Sequence, residues 1–249
     1  MCTVVFYPGS DGIKLASLRD ESPIRPVALK PRIYTYDSYS YLSPIDPLGG
    51  GSWIGVNDSG VVIILLNGGY QIHERKDYYS KSRGLVVKEL LSSSMPVIDW
   101  GKLSLDGVEP FTLVLYDGQH LFQLVWDGNE KHRNLMDKSI PYLWSSSTLY
   151  DDKIRQVRFQ LFQKWIKTQT TISSDTLKGF FSSYPDEING FIMNRNDKIK
   201  TVNYSFITVL ESKAQYEYHD FQHGEKSFSE IQFDEKFEVC LLSSDKENL

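Results

Sequence analysis

Apolar and polar residues alternate with a period of two through much of the first half of this chain, shift to a period near 3.6 around its centre, and alternate again towards its end. Thr3-Val4-Val5-Phe6-Tyr7 is a β-branched and aromatic run, Pro8-Gly9-Ser10-Asp11-Gly12 has turn chemistry, and Ile13-Lys14-Leu15-Ala16-Ser17 alternates once more. This pattern predicts a β-hairpin, and reflection about a turn near Ser10 sets Cys2 opposite Leu18 and Arg19. Tyr34, Tyr36, Tyr39 and Tyr41 give residues 33–42 the look of one half-exposed strand. Residues 53–56 and 61–67 read as two strands joined by Asn57-Asp58-Ser59-Gly60. The run Val61-Val62-Ile63-Ile64-Leu65-Leu66 does not alternate, so its strand is expected to be buried on both faces and central in its sheet.

Residues 82–92 predict a helix with Leu85, Val86, Leu90 and Leu91 as its apolar stripe. Residues 111–116 and 120–126 pair across Asp117-Gly118. A second helix follows, with Ile154, Val157, Leu161 and Trp165 on one face and Lys153, Arg155 and Arg158 away from it; residues 176–182 predict a third. Strands return at 205–210, 215–219 and 237–241, the last with Cys240 as a buried position. This order fits an α+β fold in which two sheets lie between helical layers, a four-layer αββα sandwich. No linker interrupts it, so residues 1–249 are expected to form a single domain.

Composition narrows the function. With 41% hydrophobic residues in 249, the chain can bury a substantial core. Its net charge of −5 argues against nucleic acid, which requires a basic face. No apolar run is long enough to span a bilayer, no export signal is apparent, and the two cysteines are expected to be reduced in the cytoplasm. His219 and His223 stand four apart without a third ligand, and Gly49-Gly50-Gly51 lacks the lysine of a phosphate loop, so neither a metal nor a cofactor is expected.

Cys2 carries the candidate chemistry. Removal of Met1 would leave a thiol and a free α-amine on one residue, and an amine titrating at about 7.7 to 8.0 can take the proton of a thiol titrating near about 8.5. N-terminal-nucleophile amidohydrolases work in this way. Arg19, across the predicted hairpin, would favour thiolate, and a carboxylate from Asp20-Glu21 could hold the ammonium or orient the arginine.

Met1-Cys2-Thr3, Leu18-Arg19-Asp20-Glu21, the stretch from Gly50-Gly51-Ser52-Trp53 to Val56-Asn57, Leu66-Asn67 and Ser82-Arg83-Gly84 occur in one order that resembles the NRDE family, the transport and Golgi organisation protein 2-like proteins. The resemblance is dense to about residue 90 and thinner afterwards. It implies an N-terminal-nucleophile hydrolase fold similar to bile salt hydrolases and penicillin V acylases. On this basis Cys2 is the nucleophile, Arg19 its electrostatic partner, Asp20 the matching carboxylate and Asn67 the oxyanion donor. The substrate would be a linear amide.

The resemblance also implies departures. Leu18 stands where the family has asparagine, Ser146-Ser147 where relatives have Ser-Asn, and Asn203 where an arginine is expected, so Ser146, Ser147 and Asn203 mark further site positions. A second function implied by the resemblance is the handling of a hydrophobic ligand, haem or acyl lipid, in an aromatic pocket.

Overall fold

The computed structural model describes residues 2–36 and 39–234, so the expected strand at 237–241 and Cys240 lie outside the described residues. In chain order the elements are β1 (Cys2–Gly9), β2 (Gly12–Glu21), β3 (Leu29–Tyr36), β4 (Tyr39–Ile45), β5 (Ile54–Asn57), β6 (Val62–Asn67), α1 (Arg83–Leu91), α2 (Pro96–Lys102), β7 (Phe111–Tyr116), β8 (Leu121–Trp126), β9 (Lys131–Met136), β10 (Tyr142–Ser145), α3 (Asp152–Ile166), α4 (Ser174–Ser182), β11 (Asn194–Arg195), β12 (Ile199–Val209), β13 (Lys213–Asp220) and β14 (Lys226–Gln232). They build two antiparallel sheets. One runs β10-β1-β2-β12-β13-β14 with β11 on β12, and the other is a meander from β3 to β9.

Two apolar clusters define the four layers. Val4, Phe6 and Leu15 of the first sheet meet the second, and this core continues through β6 to Val86, Val87, Leu90 and Leu91 of α1 and Trp100 of α2. On the outer face of the first sheet, Val5, Ala16 and Leu18 pack with Phe162 of α3 and Leu177, Phe180 and Phe181 of α4. The alternation of Val4 and Phe6 with Val5 therefore sorts β1 between two cores. The β6 residues from Val62 to Leu66 are all buried and the strand is fourth of seven in its sheet, as its unbroken apolar run predicts. Each such side chain stabilises the fold by about 1.5 to 3 kcal/mol.

Some expectations need correction. Residues 33–42 are parts of two strands, since Tyr36 of β3 pairs with Tyr39 of β4 and the chain doubles back between them. The tyrosine alternation continues in the sequence from Tyr34 to Tyr41, so periodicity alone does not reveal the reversal. In α3 the buried stripe is Arg158, Phe162 and Ile166, whereas Val157 is 48% exposed. In α1, Val87 takes the buried place expected for Leu85. No helix among the described residues is long and apolar enough to cross a membrane.

Candidate active site

The β1–β2 register pairs Cys2 with Arg19 and Thr3 with Leu18. On the other side of β2, Arg19 pairs with Asn203 of β12, which in turn pairs with Asp220 of β13. Four positions thus form one row across the first sheet. The β2–β12 ladder slips between Thr201 and Asn203, and this irregularity brings Asn203 into the row. Asn203 is buried, and its Oδ1 has no hydrogen-bond partner among the described residues.

Strand alternation separates Arg19 from Asp20. Arg19 is only 6% exposed, with its guanidinium 4.1 Å from the Trp53 ring. It lies 3.4 Å from the Asp46 carboxylate and 3.8 Å from that of Glu21. Asp46 also pairs with Arg25. Burial alone would raise the Asp46 pKa, but the Arg25 hydrogen bond and the Arg19 charge outweigh it and hold the group below its ordinary range.

These residues line a cleft of about 640 Å³ at the end of the inter-sheet core, which also includes Asn67, Trp53, Leu65 and Thr148. Asn67 closes β6, opposite Phe111 of β7. Its carbonyl accepts from Ser146 Oγ at 2.7 Å, while its side-chain amide makes no hydrogen bond among the described residues. Thr148 Oγ1 lies 2.9 Å from Ser146 Oγ. Because the single Ser146 proton is committed to Asn67, Thr148 must be the donor to Ser146. Ser147 Oγ donates to the Gly69 carbonyl at 2.9 Å. Both serine hydroxyls therefore fix the backbone around Asn67, and of residues 146–148 Thr148 is the one that lines the cleft.

Asp20 points to the other face of the sheet, away from Arg19. Its carboxylate is fully buried and accepts from Thr201 Oγ1 at 2.7 Å, while Oδ2 has no hydrogen-bond partner among the described residues. Burial pushes its pKa up to about 6 against the opposing Thr201 hydrogen bond, with the charges of Arg158 and Arg195 also opposing. Arg158 reaches this region from α3. It donates to Ser145 Oγ at 2.9 Å, to the Asn189 and Gly190 carbonyls at 2.8 and 2.6 Å, and to Thr3 Oγ1 at 2.5 Å. Its guanidinium stacks at 4.1 Å from the Tyr150 ring and 4.3 Å from that of Phe191. A buried cation thus grips the residue next to Cys2 from behind.

Because the folded-state pKa of Asp20 is raised from 3.8 to about 6, its contribution to stability is greatest below the lower value and is lost as pH rises through the upper one. A difference of about two pH units is worth about 3 kcal/mol. Asp20→Asn cannot ionise, so between about pH 4 and pH 7 its stability relative to wild type is expected to improve by about 3 kcal/mol. Urea unfolding of both proteins at several pH values measures this. A difference independent of pH would mean that Asp20 ionises in the fold as freely as in water.

The sequence matches the family model described as Transport and Golgi organisation 2 over residues 1–212. The chain belongs to that family. No curated protein matches the sequence. Among solved structures it is similar to two variants of the conjugated bile acid hydrolase from Clostridium perfringens, at 10% and 12% identity with TM-scores of 0.61 and 0.59, each comparison covering 92% of both chains. It is also similar to the Caenorhabditis elegans ortholog of N-acylethanolamine-hydrolyzing acid amidase, at 11% identity and a TM-score of 0.58, over 83% of this chain and 92% of that one. At such identities the likeness establishes the fold, an N-terminal-nucleophile hydrolase sandwich.

In this chain the cleft joins Arg19 and Asn67, whereas Asp20, Ser146 and Ser147 do not line it. Asn203 lies beside it in the strand row. The sequence does not single out Asp46, Glu109 or Thr148, and it singles out Arg83 only within the Ser82-Arg83-Gly84 motif, with no role attached. For Asp46 a signal was present, since Arg19 and Arg25 both need a carboxylate and Asp46-Pro47-Leu48-Gly49 puts one at a turn.

Proposed function

We propose that this protein is an N-terminal-cysteine amidohydrolase acting on a linear amide, with residues 1–249 working as one domain. The reading is carried by the register that sets Cys2 opposite Arg19 together with the cleft that Arg19 shares with Asn67. In the proposed reaction the Cys2 α-amine takes the thiol proton, and the thiolate attacks the amide carbonyl carbon. Arg19 favours the thiolate, and the Asn67 amide stabilises the developing oxyanion. The C–N bond then breaks, the leaving amine takes the proton from the ammonium, and an acyl thioester remains on Cys2. Water attacks this thioester, releasing a carboxylic acid and restoring the thiol.

The competing reading, a carrier of haem or acyl lipid, is favoured by one observation. The Ser146 and Ser147 hydroxyls are spent on backbone carbonyls, so they offer no second donor to an oxyanion. Incubation with a panel of N-acyl amides followed by intact-mass measurement separates the two. The expected species lacks Met1 and carries one acyl increment, absent from Cys2→Ala. Retained Met1, or no adduct with any amide alongside haem or acyl-lipid binding that survives Cys2→Ala, would decide for the carrier.

A further inference from the structure

The charges along the cleft are unevenly matched. Five arginine and lysine side chains line it against three carboxylates, in a chain whose own net charge is −5. Near the row that begins at Cys2 the account is balanced, because Arg19 and Arg25 share Asp46 and Glu21. Elsewhere along the cleft Glu109 alone faces three groups. It lies 3.0 Å from the Arg83 guanidinium, 3.3 Å from His73 Nε2 and 3.9 Å from Arg75. Lys81 also lines this wall, and its partner Glu89 does not.

Arg83 is held in place, with its side chain 16% exposed and Nη1 donating to the Pro110 carbonyl at 3.3 Å. Burial disfavours its charge, Glu109 offsets part of this, and Arg75 adds repulsion. Arg75 also lines the cleft, with its side chain 80% exposed. One half-buried and one exposed guanidinium around a single shared carboxylate leave unspent hydrogen-bond donors in the fork geometry that suits an oxyanion. Leu48, Leu65 and Ile72 give the same cleft apolar surface.

We infer that the Arg83, Arg75 and Lys81 wall binds an anionic oxygen-bearing head group, phosphate or carboxylate, of an amphiphilic ligand whose apolar part lies along the cleft. Resting on the amidohydrolase reading, this makes the substrate an acyl amide with an anionic end rather than a neutral one. The charge is read at a distance from the scissile bond, so it sets affinity more than chemistry.

The test is calorimetric titration of the full-length Cys2→Ala protein, in which turnover plays no part. The probes are octyl phosphate, octanoate and octyl glucoside. Both anions are expected to bind about tenfold or more tightly than the neutral glucoside, and their order separates phosphate from carboxylate as the preferred head. The double variant Arg75→Gln/Lys81→Gln changes exposed or half-exposed groups, and is expected to lose about tenfold in affinity for the preferred anion with unchanged affinity for the glucoside. Equal affinity for all three probes, no binding of any, or anion binding untouched by the double variant would overturn the inference. Such a failure leaves acyl transfer at Cys2 standing, and a lack of acyl adducts leaves an observed anion preference standing.

Discussion

Asn67→Ala is expected to slow acylation of Cys2 by an N-acyl amide about a hundredfold or more, with little change in substrate affinity. The amide lines the cleft and makes no hydrogen bond among the described residues, so its donors are free for a charge that exists only in the transition state. The backbone at this position is held independently. Its carbonyl accepts from Ser146 Oγ at 2.7 Å and β6 is paired with β7 through Asn67 itself. Truncation should therefore change folding stability by less than about 1 kcal/mol, the range of substitutions away from packed or bonded groups. Single-turnover mass spectrometry of the acyl adduct, with urea unfolding beside it, measures both. A rate reduced by less than about threefold would remove Asn67 as the oxyanion donor and leave it a strand-end residue.

The second large effect concerns stability. Arg158→Met is expected to cost about 3 to 5 kcal/mol at pH 7, the penalty of breaking a buried charged network by deleting one partner. Four acceptors on Thr3, Ser145, Asn189 and Gly190 would lose their donor at once, and the Asp20 carboxylate would lose a neighbouring positive charge. Methionine restores much of the volume between Tyr150 and Phe191, so the loss reports the charge and its bonds rather than a cavity. Arg158→Lys should recover little, because an ammonium cannot span four acceptors in the plane of two rings. A loss below about 1 kcal/mol would class Arg158 with ordinary surface arginines.

What could be read in the sequence was local. The first hairpin was legible because its turn residues and its alternation agree, and that agreement puts Cys2 opposite Leu18 and Arg19, between which the strand register selects Arg19. The fold class followed from the order of periodicities. Pairing between distant segments left no trace, so the neighbour of β2 on its other side, β12, and with it the place of Asn203, emerges only from the structure. Arg158 was missed because a helical pattern counts every charge as exposed, and nothing local announces four acceptors and two rings. Asp20 differs, since a period of two already forbids it the face of Arg19 once both lie in one strand. Glu109 is a single loop charge with no pattern and Arg83 belongs to a motif that names no partner for it, so only the cleft reveals that they share one wall.

The strand row has a consequence in time. Arg19 pairs with Asn203, and β1 pairs with β10, so both flanks of the first hairpin are made of segments synthesised long after it. At about 5 to 20 residues per second, the gap between Arg19 and Asn203 corresponds to about 10 to 40 s on the ribosome. During that interval Cys2 and Arg19 have been made, but β12, which flanks β2 on its other side, has not. A truncated or stalled product thus has Cys2 and Arg19 on a hairpin whose sheet is incomplete, and the first sheet closes around that pair only when β12 has been delivered.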